Sequence, residues 1–196
     1  MNMKAKFLTT LFLLIGWMSF AQEKHLTFKD VPINGTMAEY ISKMEENDFN
    51  HLATNLRIAT LRGDFAGYKN CMLEISTLWQ KDIVHKIDVI FPFKETWLAL
   101  YGDYSALKVM LTEKYGKPTE FVEKFEGPHA INDDRAKMSL VKIGNCKYYA
   151  IWRSDQGDIK LSIEHRNHQN YQCFVQLTYL DKVNSQIVKE KTLTDL

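Results

Sequence analysis

Cysteine, proline and an imbalance of charge are scarce in this chain, and each scarcity excludes a class of protein. Three cysteines in 196 residues are too few for a disulfide-dense scaffold. None of them stands in a C-x-x-C spacing, which removes the usual dithiol redox and zinc signatures. Four prolines and nine glycines exclude a collagen-like or Pro/Gly-rich disordered chain. With 25 Lys+Arg against 24 Asp+Glu the net charge is +1, so the basic footprint of a general nucleic-acid binder is missing. The sequence also holds no glycine-rich nucleotide fingerprint, P-loop, G-x-S-x-G elbow or H-E-x-x-H metal helix. What is present is a globular composition, 45% hydrophobic and 12% aromatic, enough to build a core.

The N-terminus has three parts. Lys4 and Lys6 precede an apolar run from Phe7 to Trp17, and Ser19-Phe20-Ala21 places small residues before Gln22. That order predicts a signal peptide over residues 1–21, cleaved after Ala21. The run is shorter than the about 20 apolar residues that span a bilayer, and no later stretch approaches that length. The expected product is periplasmic or secreted, without a membrane span.

An odd number of cysteines in an exported chain leaves at least one thiol free or paired between molecules. Alternation within strands places Cys146 opposite His165 and Cys173 opposite Ile163, with a whole strand between the two cysteines. A separation near 10 Å exceeds what a disulfide spans, so Cys146 and Cys173 are expected to stay apart.

Periodicity predicts the following elements. Leu26 to Val31 forms a short strand ending at Pro32, and a helix follows with Met37, Tyr40, Ile41 and Met44 at helical spacing. Thr36 and Glu39 fit a capping box; Asn34-Gly35-Thr36 is also a glycosylation sequon, which the turn and cap explain without sugar. Strands follow over Thr60–Phe65, Tyr68–Trp79 and Ile83–Phe91, the first two joined by an Ala66-Gly67 turn. His85 is expected on the apolar face opposite Thr77. A long helix runs from Trp97 to Tyr115 and closes at Gly116 and Pro118. Phe125 to Arg135 reads as a loop, Met138–Ile143 as a strand, and Lys147–Trp152, Ile159–Glu164 and Cys173–Tyr179 as further strands. Asp181 caps a last helix with Val183, Ile187 and Val188 inward.

Antiparallel strands with segregated helices give an α+β fold, the sheet packed against helices on one face. Each half, 22–93 and 94–196, reads as a helix-plus-strands module, which suggests a tandem duplication. This arrangement resembles the tandem modules of β-lactamase-inhibitor-protein-like folds, which include small outer-membrane assembly lipoproteins. The segments Leu61-Arg62-Gly63-Asp64-Phe65-Ala66-Gly67-Tyr68 and Leu111-Thr112-Glu113-Lys114-Tyr115-Gly116-Lys117-Pro118 are similar to those of uncharacterised secreted proteins of Gram-negative anaerobes. No cysteine stands directly after Ala21, so the lipid anchor of the lipoproteins is not implied, and the resemblance carries over no functional residue.

No catalytic, cofactor-binding or metal-binding residue emerges. His165 and His168 flank a polar turn, while Glu164 and His165 point to opposite faces of a strand. Asn132, Asp133 and Asp134 match no EF-hand spacing. Arg62-Gly63-Asp64 lies within an expected strand rather than on a protruding loop. Of the functions that remain, a non-enzymatic exported binding module for an unknown protein or envelope component ranks first. A small-molecule or lipid carrier, or a hydrolase uniting some of His85, His129, His165 and Glu164, are the alternatives. The candidate partner-binding residues are Tyr149, Ile151 and Phe174, which lie opposite the core face among Lys160, Ser162 and Gln176.

Overall fold

The computed structural model describes residues 24–126, 133–166 and 171–186. Residues 1–21, His129, Asn132, His168, Ile187 and Val188 lie outside the described residues. The chain opens with a two-strand ribbon, β1 (Thr27–Phe28) and β2 (Val31–Pro32), in place of the single strand expected there. Helix α1 (Met37–Glu45) follows, and the Thr36–Glu39 capping box is present in full. Strands β3 (Asn50–Asn55), β4 (Ile58–Phe65), β5 (Tyr68–Thr77) and β6 (Val84–Ile90) form an antiparallel meander. The Ala66-Gly67 turn has positive φ at both residues, 51° and 83°, the twist that a two-residue hairpin requires.

Helix α2 (Trp97–Tyr115) is capped by Thr96 and stops at Gly116, whose φ is 81°. It leads into β7 (Glu120–Phe125), helix α3 (Asp134–Lys142), and strands β8 (Cys146–Arg153), β9 (Gly157–Arg166) and β10 (Gln172–Asp181). Residues 183–186 are helical, with the Asn184 amide donating to Asp181 Oδ1 at 3.3 Å.

Two of these elements correct the sequence reading. Met138–Ile143 is not a strand: Met138 and Val141, three apart, are the buried positions of α3, and Asp133 caps it by accepting from the Ala136 amide at 2.8 Å. A short apolar run fits both periods, and the cap decides for helix. The strand that completes the second half is instead β7, Glu120–Phe125, whose last residue is the first of the expected loop.

All eight long strands lie in one antiparallel sheet of order β3-β4-β5-β6-β10-β9-β8-β7. Each half is a helix followed by four meandering strands, and the final strands of the halves, β6 and β10, pair at the centre. The halves are therefore related in topology by a two-fold axis through that pair. Carried outward along the registers, the axis superposes Ile87 on Leu177, Val89 on Tyr179, Ile75 on Leu161, Leu73 on Ile159, Leu61 on Trp152 and Ala59 on Ala150. All twelve are buried in one core, together with the inward residues of α1, α2 and α3. Among these pairs only Ala59 and Ala150 share a residue type, so the halves are alike in topology and not in sequence.

Candidate functional site

Strand parity sends the core residues toward the helices and, among the described residues, leaves the opposite face of the sheet without a helix. At its centre stands Asp88, only 3% exposed. Its Oδ1 accepts from Thr178 Oγ1 at 2.6 Å and Gln176 Nε2 at 2.9 Å, and Lys86 Nζ lies 2.7 Å from Oδ2. First-half and second-half strands thus share one satisfied buried carboxylate.

The ion pair of Glu74 and Arg166, 2.8 Å apart, crosses this centre. Glu74 is on β5 and Arg166 on β9, with β6 and β10 between them, roughly 14 Å of flat sheet, and the two are offset along the strands as well. The pair closes because the sheet curls toward this side. A salt bridge is thus slung across this face.

The three predicted partner-binding residues all sit on this face, but they differ in exposure. Tyr149 is half-buried; its hydroxyl donates to Glu120 Oε1 at 2.9 Å, Arg153 Nη2 lies 2.7 Å from Glu120 Oε2, and Lys160 lies over the tyrosine ring at 5.7 Å. Ile151 is half-buried beside them, paired with Lys160 on β9 and Glu120 on β7. Phe174 is 1% exposed, which corrects the expectation that it is bare. Phe93 packs edge-on against its ring at 5.7 Å and the Arg166 guanidinium lies 5.5 Å above it. Phe93 comes from a distant part of the chain and Arg166 from the neighbouring strand β9, beyond the residue paired with Phe174, so parity alone does not reveal them. Sequence reasoning also missed Asp88, Glu74 and Arg166. The signal for Asp88 was a lone carboxylate in an apolar strand.

The remaining titratable groups explain themselves structurally. His25 Nδ1 lies 3.2 Å from Oδ2 of the fully buried Asp181, the orienting half of a nucleophilic triad. Its Nε2, however, faces the Asn34 amide nitrogen at 3.0 Å. Asn34 Oδ1 accepts from the Gly35 amide at 2.8 Å and from Asn184 Nδ2 at 3.0 Å, so Asn34 Nδ2 is the donor and His25 Nε2 the acceptor. A carboxamide occupies the place a nucleophile would need, and the network ties the N-terminal segment to the end of β10. It also engages the nitrogen to which a sugar on Asn34 would attach.

His85 is the extra residue of a β-bulge: Val84, not His85, pairs with Thr77, and Lys86 pairs with Ser76. Burial holds the His85 imidazole below its ordinary pKa, and its Nδ1 has no partner among the described residues. His85 and His165 lie at opposite ends of β10, near Leu180 and opposite Cys173 respectively, so they do not converge. Cys173 pairs with His165 rather than Ile163, because the β9–β10 ladder runs on to Arg166 and Gln172 and shortens the connection. All three cysteines are free thiols. Burial pushes Cys146 up to about 12 and Cys71 up to about 11, and raises Cys173 as well.

Arg62-Gly63-Asp64 is part of β4, where Asp64 pairs with Lys69 at 2.6 Å and a side chain on Gly63 would meet Phe49 at 2.6 Å. Among the described residues no group of three or more metal-ligating side chains converges, and no helix is long and apolar enough to cross a membrane. Compared with known proteins, the chain matches no family, no curated protein and no solved structure.

Proposed function

We propose that this is an exported binding protein that engages a protein or envelope component through the face of its sheet opposite the core and carries out no chemistry of its own. That this face is covered by no helix among the described residues is the observation that supports this reading. Ion pairs such as Lys160–Glu164, Arg153–Glu120 and Lys86–Asp88 order part of its polar side chains before contact. A rigid surface loses little side-chain entropy on association. Two modules sharing one sheet is also the frame that the resemblance to β-lactamase-inhibitor-protein-like folds implies. The N-terminal signal pattern assigns the protein to the periplasm or the exterior, after cleavage behind Ala21.

The test is site-specific photocrosslinking in the native host. A photoreactive side chain at Tyr149 or Ile151 is expected to give a discrete adduct, and the same group at Leu98, exposed on α2, none. Adducts at Leu98 with none at Tyr149 and Ile151 would move the binding surface to the helices.

A further inference from the structure

Away from this face of the sheet, two loop tips of the first half meet and present apolar side chains beside cations. The β3–β4 hairpin turns on Leu56-Arg57, since Asn55 pairs with Ile58. The β5–β6 connection carries Leu78-Trp79-Gln80-Lys81-Asp82, and the Thr77 amide donates to the Arg57 carbonyl at 3.1 Å, which locks the two tips together. Leu56 is 94% exposed and Trp79 is 78% exposed. The Arg57 guanidinium stacks on the Trp79 ring at 3.4 Å, and Lys81 is exposed beside it. These side chains line a shallow hollow of about 400 Å³.

Leu56 is costly in two ways. Its φ is 52°, at the turn position where such hairpins favour glycine, and its side chain reaches into water. A strained backbone and a bare leucine at one residue point to a use outside the fold.

We propose that these tips dock the protein on a bilayer surface that contains anionic phospholipid. An indole with an aliphatic side chain at a protruding tip, ringed by Arg and Lys, is the chemistry of the headgroup–acyl boundary. Charge supports the same occupant. Arg57 and Lys81 are the cations of the patch, while its carboxylate, Asp82, is engaged by the Met37 amide at 3.2 Å at the start of α1. A second copy seated there by two-fold symmetry would bring like charges together, whereas an anionic headgroup layer complements them. The Arg57–Trp79 stack and the Thr77–Arg57 hydrogen bond hold the patch in order before contact.

The experiment uses the full chain carrying Trp17→Phe. Among the described residues Trp79 is then the exposed indole, because Trp97 and Trp152 are 6% and 5% exposed. The probes are phosphatidylcholine vesicles with and without phosphatidylglycerol, bearing brominated acyl chains. With the anionic vesicles Trp79 emission is expected to shift to the blue and to be quenched. Arg57→Gln with Lys81→Gln is expected to weaken the partition at least about tenfold, each cation near such a surface contributing roughly a fivefold factor. Leu56→Gly is expected to weaken it several-fold without lowering the melting temperature, which separates lipid contact from folding. Unchanged Trp79 emission overturns the proposal. So does vesicle binding indifferent to all of these variants, which would assign it to the N-terminal apolar run. Concentration-dependent self-association abolished by Leu56→Gly, with no quenching, would assign the patch to a second copy instead.

Discussion

The two halves of the molecule share a topology and differ in finish. In the first, β3 and β4 are joined by the bare Leu56-Arg57 turn, and the edge strand β3 is exposed at every residue. In the second, the equivalent connection between β7 and β8 carries helix α3, and edge strand β7 brings Glu120, Glu123 and Lys124. Helix α1 has 9 residues and α2 has 19. The second half is the better covered of the two, with Trp97, Tyr104, Phe125 and Tyr148 packed ring against ring. One frame thus carries two finishes: the second half adds a helix between its outer strands, and the first leaves its loop tips bare.

The comparison breaks most readily at the shared centre. Ile87→Ala and Leu177→Ala truncate symmetry-related, fully buried side chains, and each is expected to cost about 3 kcal/mol. Urea unfolding followed by fluorescence and by circular dichroism should give one coincident transition for either variant; two separated transitions would show that the halves unfold independently.

Asp88 sharpens the comparison, because the axis superposes it on Thr178, a neutral residue. Asp88→Ala leaves Lys86 and Thr178 without their acceptor and Gln176 with Thr178 Oγ1 alone, and is expected to cost about 2–3 kcal/mol. Thr178→Val loses one donor and should cost about 1 kcal/mol. Equal losses would mean that the carboxylate is not the hub.

The helix caps give a smaller contrast. Thr36 caps α1 within a complete box with Glu39, while Thr96 caps α2 opposite Ala99 and has no reciprocal carboxylate. Thermal denaturation of Thr36→Ala should register about 1 kcal/mol of lost stability, and Thr96→Ala somewhat less.

The thiols give the smallest effect at neutral pH. With Cys71 held near 11 and Cys146 near 12 by burial, native protein should react with iodoacetamide at pH 8 far more slowly than urea-unfolded protein. Because the folded pKa values lie above the ordinary thiol value of 9.0, the folded state holds these protons longer. Their contribution to stability is complete below pH 9 and declines as pH climbs toward 11 and 12. Rapid alkylation of native protein at pH 8 would mean that Cys71 and Cys146 are accessible.

Much of the frame was legible in the residues. Alternation marked β4, β5, β8, β9 and β10, and Thr36, Gly116 and Asp181 marked helix ends, because these signals are local. Strand β3 was missed since none of its residues is buried and no alternation exists to find. Helix α3 was mistaken for a strand because its short apolar run fits either period. Parity put Tyr149, Ile151 and Phe174 on one face, but it could not show that Phe93 and Arg166 close over Phe174. Nor could it show the Glu74–Arg166 bridge, whose members are 92 residues apart in sequence.

The central pairing of β6 with β10 also sets an order of assembly. Residues 84–90 find their partner only when residues 172–181 have arrived, so the seam of the sheet joins a segment from the middle of the chain to one near its end. Until then the first half carries an unpaired strand edge at Val84, Ile87, Val89 and Ile90, the geometry that invites pairing with another chain. Contacts so distant in sequence close late and slowly. A nascent chain crossing a membrane from its N-terminus would hold that edge open until its last strand emerged, a period in which a holding chaperone has a defined, apolar strand to grasp.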